Sequence, residues 1–361
     1  MATTTPVALS KEEALKLIED SGNIRLLEHI NLSNVEKCTE QAPVNIFYMH
    51  GLGCARDPRL SYHFWANFGR NQFHLFTSQK QNECFSGSVY LYVPDLDALE
   101  QRLSNVAEQL AHTKFAFERV NRGGATTVDY PREQWQTLFD AAQYDHIVAH
   151  DPYGNEIRCF VTPAQYWAYT EQLGGLLPAD SQGKTAEPQG MPFVLYPVRP
   201  GIAQGIARFY EEYLGAKTVV TPLPNASPED TTVLYRTHVL CGPLQAIVFE
   251  ERESERDNKG EYDGHHLCLY MDRFEELYNK AFNDQMQWNN VLFFDRCDTW
   301  KEASRDQQYR ILHIIDPKDR SFLMTLEHEI RSAQHFRNTL LRRDITPEEE
   351  AENEAKRQKN L

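Results

Sequence analysis

A motif that returns a whole domain's length later forces a duplicated fold, and this chain contains such a motif. Phe47-Tyr48-Met49-His50-Gly51-Leu52-Gly53 returns as Phe209-Tyr210-Glu211-Glu212-Tyr213-Leu214-Gly215, 162 positions on (209 minus 47). Asp151-Pro152 returns as Asp316-Pro317, 165 positions on (316 minus 151), and Tyr144 and Tyr309 each stand seven residues before their Asp-Pro. At 361 residues the chain is long for one hydrophobic core and comfortable for two. Its 41% hydrophobic and 11% aromatic content is enough to fill them.

Each half reads as two modules of strand, helix and three strands. In the first half, 24–32 alternates as a strand and gives way to a helical stretch closed by Gly53. The aromatic runs 60–68 and 72–76 flank Gly69-Arg70-Asn71, which is hairpin chemistry. A second cycle starts at 87–95, where Pro94 and Asp95 end a strand and open a helix over 96–110. Strands at 115–120, 144–149 and 156–161 follow, the last two joined by the turn Asp151-Pro152-Tyr153-Gly154-Asn155. The second half is expected to repeat this order: strand 193–198, helix 201–214, strands 233–240 and 245–249, then strand 265–271, helix 272–282, and strands at 291–294, 309–315 and 321–328. The boundaries are therefore an N-terminal helical extension over 1–22, a first domain over 23–170, a linker rich in Gly, Pro, Ser and Gln over 171–191, a second domain over 192–330, and a charged, helix-prone tail over 331–361.

A net charge of −15 repels phosphate backbones and anionic membrane surfaces, which argues against nucleic-acid and membrane partners. The seven cysteines, Cys38, Cys54, Cys84, Cys159, Cys241, Cys268 and Cys297, are odd in number and lack Cys-x-x-Cys spacing, as expected of reduced thiols in a cytoplasmic protein. No basic and apolar leader opens the sequence, and no apolar run approaches the roughly 20 residues of a membrane span. Phosphate-binding glycine loops, Gly-x-Ser-x-Gly elbows and dinucleotide fingerprints are absent.

Phe-Tyr-x-x-x-Leu-Gly after a first strand, Val93-Pro94-Asp95-Leu96-Asp97-Ala98-Leu99 opening the second module, and Asp151-Pro152-Tyr153-Gly154-Asn155 before a last strand together resemble the glyoxalase, bleomycin-resistance and extradiol-dioxygenase superfamily, also called vicinal oxygen chelate proteins. The resemblance covers roughly 24–165 and 192–330. It implies an α+β fold of four βαβββ modules forming two tandem half-barrel domains, with a divalent metal held by residues of the first and last strand of each module. It also implies a small, oxygen-rich and in some members anionic substrate, handled by a lyase, isomerase or dioxygenase. Metal-free binding proteins share the fold, so small-molecule sequestration and a non-catalytic scaffold stand as alternatives.

Carried over position by position, the resemblance puts the first-module metal ligands on His29, seven residues before Glu36, and on His74. Both are imidazoles, the commonest protein ligands for Fe, Zn, Ni, Mn or Co. The second module has Ser88 and Arg158 in the corresponding places, where a guanidinium repels a cation or grips an anionic substrate. Glu156, on the same strand face as Arg158, is the candidate catalytic carboxylate and a third ligand, and His63 is a candidate general base. Arg158, Arg70, Trp65 and Ser88 are the candidate substrate contacts. The second half offers His265, seven before Asp272, with Glu250. The first half is expected to be the active one, and duplication within one chain makes a monomer or a homodimer equally acceptable.

Overall fold

A computed structural model describes residues 20–34, 39–57, 64–77, 85–122, 144–163, 186–223, 233–243, 245–255, 262, 264–291 and 293–335, with residues 10, 12, 16 and 166. The expected N-terminal helix, apart from a few residues, and the tail beyond 335 lie outside them, as does His63.

Four modules follow one another along the chain. The first holds β1 (Ile24–Asn34), helix α1 (Pro43–Asn45) running into a π-helical turn (Ile46–Gly51), β2 (Ala55–Arg56), β3 (Phe64–Phe68) and β4 (Asn71–Thr77). The second holds β5 (Ser88–Val93), α2 (Leu96–Leu110), β6 (Ala116–Val120), β7 (His146–His150) and β8 (Glu156–Val161). The third holds β9 (Gly190–Val198), α3 (Ala203–Leu214), β10 (Thr218–Pro222), β11 (Tyr235–Leu240) and β12 (Ala246–Glu251). The fourth holds β13 (His266–Met271), α4 (Phe274–Asn283), α5 (Trp300–Asp306), β14 (Gln308–Ile315) and β15 (Phe322–Ser332).

These strands make two mixed sheets. A seven-stranded sheet runs β14-β15-β13-β1-β4-β3-β2, and an eight-stranded sheet runs β10-β11-β12-β9-β5-β8-β7-β6. Module one thus joins module four through the antiparallel pair β1 and β13, and module two joins module three through β5 and β9. Each sheet takes strands from both halves of the chain.

The repeated motifs fix the helices to the sheets. Tyr48 is fully buried and donates to Asp151 Oδ2 at 3.0 Å; Asp151 also accepts from the backbone N–H groups of Tyr153 and Asn155 and so closes the Asp-Pro turn. In the second copy Tyr210 is 2.6 Å from His328 Nε2, and Asp316 pairs instead with Arg208. The left-handed Gly215 ends α3, as its place in the motif predicts.

One expected strand is not found among the described residues. Residues 291, 293 and 294 join no ladder, and Val291 and Phe294 are exposed at 86% and 81%. Their polar neighbours are drawn inward instead: Asn290 bonds Glu327 and Asp295 pairs with Arg310, which ties this stretch across the sheet rather than along it. Just before this stretch, Gln287 makes an isolated bridge to Ile311. Among the described residues no helix is long and apolar enough to cross a membrane.

Candidate metal centre

Strand alternation sorts the central strands of the seven-stranded sheet into an apolar and a polar face. On β13, Leu267, Leu269 and Met271 alternate with His266, Cys268 and Tyr270; on β15, Leu326, His328 and Ile330 alternate with Glu327, Glu329 and Arg331. Register then lines the polar residues up. His29 lies opposite Cys268, Cys268 beside Glu329, and Glu329 opposite Arg310. The neighbouring rung carries His74, Asn31, His266 and Glu327. A register shift between Leu27 and His29 leaves Glu28 unpaired, so two consecutive residues reach the same cradle.

Every one of these groups is withdrawn from water. His29 and Glu327 are fully buried, and Glu28, His266, Glu329, Arg310 and Arg331 are at most 4% exposed. Four carboxylates, Glu28, Asp295, Glu327 and Glu329, face two guanidiniums. Arg310 reaches Asp295 at 2.9 Å, Glu327 at 2.5 Å and Glu329 at 2.7 Å, and Arg331 reaches Glu28 at 3.0 Å and Glu329. The cradle carries more negative than positive charge, in a place where unbalanced charge is costly.

The imidazoles do not make up the difference. Burial lowers the pKa of His29 against the bond from Glu28, and burial, before any neighbouring charge, holds His74 and His266 well below the ordinary histidine value. All three are neutral near pH 7. Burial also works to raise Glu329, but Arg310 and Arg331 outweigh it and hold that carboxyl well below its usual range. Glu327 goes the other way, raised by burial and then by Glu329.

Hydrogen bonds fix the tautomers. His29 Nδ1–H donates to Glu28 Oε2 at 3.2 Å, leaving a buried Nε2 lone pair with no partner. His266 Nδ1–H donates to the Gly264 carbonyl at 3.2 Å, and its Nε2 sits 3.6 Å from Glu329 Oε2. Ligand atoms of His29, His266 and Glu329 lie within 4.8 Å of one another. This is a set of two histidines and one carboxylate, each imidazole oriented through its far nitrogen by an acceptor, as ligating histidines are. Glu28, His29 and Cys268 also converge, but burial pushes the Cys268 thiol well above its usual range, away from the thiolate that a metal takes.

His74 stands beside this set. Its ring lies 3.6 Å from that of His29 at an interplanar angle of 22°, and Trp65 covers its other face at 4.1 Å and 3°. Across the cradle Tyr262 donates to Glu327, and Phe293 lies under Arg310, 4.5 Å from its guanidinium carbon.

Other sequence candidates fall elsewhere. Ser88, Glu156 and Arg158 share the eight-stranded sheet, where Ser88 donates to Glu156 at 2.5 Å and Arg158 pairs with it at 2.7 Å. Glu156 is therefore on a different sheet from His29 and His74. Burial acts to raise its carboxyl, but the bonds from Arg158 and Ser88 prevail and lower it. Around it Tyr90, Phe160, Phe193, Leu195 and Val248 form an apolar face. Arg70 is buried in the β3 to β4 turn, whose Gly69 abuts Gln189. Glu250 pairs with Arg236 and Arg252 on that second sheet, while His265 bonds Tyr196 and the Asn31 carbonyl.

His266, not His265, enters the cradle, and the helix cap explains the offset. The residue capping α2 is Asp95, seven after Ser88, whereas α4 is capped by Arg273 in a left-handed conformation, seven after His266. Counting from Asp272 falls one residue short. Glu329 was missed because β15 extends to Ser332, beyond the expected end at 328. The alternation of charge at 327, 329 and 331 was the available signal.

A scan of the sequence against family models finds no match, and a search of curated proteins finds none either. Solved structures do match. A single-site mutant of glyoxalase I from Zea mays superposes with a TM-score of 0.52 at 12% identity, covering 92% of this chain and all of that one (100%). Glyoxalase I from Zea mays itself gives 0.50 at 10% identity over 90% of this chain and 98% of that one. The chain has the vicinal oxygen chelate fold.

Proposed function

We propose that the protein is a divalent-metal-dependent enzyme of the glyoxalase and dioxygenase type, with one centre on the seven-stranded sheet held by His29, His266 and Glu329. The observation that carries this reading is the buried, unpartnered Nε2 of His29 in a cradle with excess negative charge. A divalent ion fits both: it takes the lone pair and offsets the charge.

Bound there, the ion would act as a Lewis acid toward two neighbouring oxygens of a small substrate. The chain's own groups supply the rest. Glu28 and the Gly264 carbonyl hold the two imidazoles in their ligating tautomers. Arg310 and Arg331 keep Glu329 ionised. Glu327, held by Tyr262 and Asn290, is the carboxyl best suited to take or give a proton beside the centre, because burial favours its protonated form. The eight-stranded sheet, with balanced Glu and Arg pairs and an aromatic face, acts as a brace or an organic-ligand surface.

Metal analysis of protein purified without chelator tests the reading. Near-stoichiometric metal is expected, lost in His29→Ala and in Glu329→Gln; isomerisation of hemithioacetals and oxidative cleavage of catechols are the first reactions to screen with that ion. Metal-free protein that takes up none of Fe, Zn, Ni, Mn or Co would exclude the proposal.

A further inference from the structure

We infer that His74 positions the centre by stacking and stays outside the coordination shell. The inference rests on the metal reading above and departs from what the fold leads one to expect of a last-strand histidine. Its basis is geometric. A metal bound by an imidazole lies close to the ring plane, about 2 Å from the nitrogen. The rings of His29 and His74 are stacked at 3.6 Å with an interplanar angle of only 22°. Rings stacked in this way aim their lone pairs along near-parallel planes rather than at one point, so a group held by Nε2 of His29 would not be held by His74 as well.

Two further contacts hold His74 to this role. Its Nε2–H is committed to Gln72 Oε1 at 2.9 Å, and Gln72 is itself anchored by donating to Asp57 at 2.7 Å and Asn67 at 2.6 Å. Trp65 lies parallel on the outer face. His29 is thus clamped from two directions: Glu28 fixes rotation within its plane, and the Trp65 and His74 stack fixes the tilt of the plane. That clamp fixes the direction of Nε2 in a cradle that also holds His266 and Glu329.

Cobalt(II) titration of the full-length, metal-free chain separates a stacking partner from a ligand. His74→Phe keeps a flat ring and has no donor, and His74→Ala removes both. If stacking is the role, His74→Phe binds cobalt within about threefold of wild type with unchanged d–d bands, while His74→Ala weakens binding by about 10- to 100-fold. Equal loss in both variants, with altered bands in His74→Phe, overturns the inference in favour of ligation.

Proton NMR of the metal-free protein tests the stack independently of metal. The His29 and His74 ring protons should be shifted upfield, and His74 should move downfield in Trp65→Leu. Unshifted rings overturn the inference. A wild type that binds no cobalt but shows shifted rings would sink the metal reading and leave the stack standing.

Discussion

Glu327 and Glu329 are two residues apart on one strand face, yet the same cradle treats them oppositely. Glu329 is kept ionised by two arginines, whereas Glu327 shares Arg310 with two other carboxylates and is pushed toward its protonated form by burial. In the metal-free protein Glu329→Gln should therefore destabilise by about 3 kcal/mol, the usual cost of removing one partner from a buried ion pair. Glu327→Gln should be close to neutral or stabilising, and urea titration of both variants checks the contrast. The histidines add a pH dependence. Because burial lowers their folded values below the unfolded 6.5, to about 4 for His238 and His328, they bind fewer protons folded than unfolded. Stability is then full above the unfolded value of 6.5 and is lost as pH drops from there toward the folded values, with Glu329 adding a further loss at lower pH and Glu327 partly offsetting both. The urea midpoint should fall between about pH 7 and pH 5, and a flat profile would contradict the assignment of neutral buried imidazoles. At this scale the sequence offered His29, through the family resemblance that marks its position, and the structure places it in the cradle. The sequence concealed Glu28, since a strand places consecutive residues on opposite faces unless a bulge intervenes, and nothing in Leu27-Glu28-His29 announces one.

Elements were more legible than the contacts between them. Asp95 caps α2 by accepting from Ala98, and Gly69 takes a left-handed conformation in the β3 to β4 turn, both as their residue types foretell. That turn also touches the rest of the molecule: a Cβ on Gly69 would come within 2.0 Å of the Gln189 carbonyl oxygen. Gly69→Ala is expected to cost well over about 1 kcal/mol, measured by thermal or urea unfolding, because both backbone conformation and space are against it. The fourth module shows where periodicity misleads. The run over 291–294 has the apolar composition of a strand, but Asn290 and Asp295 on its flanks find stronger partners in the cradle than a strand ladder would give them. Composition reports burial preference and is blind to a carboxylate waiting across the sheet.

The duplication visible in the sequence identifies the modules but does not say which of them pair. Strand order answers that: the first pairs with the fourth, and the second with the third. His29 and Glu329 share a cradle although 300 residues separate them (329 minus 29), a distance that local pattern cannot bridge. A chain cut between residues 166 and 186 should therefore yield two pieces that associate one to one when co-expressed. Co-purification and metal content of the pair check this; pieces that each remain folded and monodisperse alone would count against it. The β1 and β13 junction also sets an order of events during synthesis. Until β15 has been synthesised and has paired with β13, His29 has no Glu329 within reach, so the cradle is among the last parts of the four modules to close.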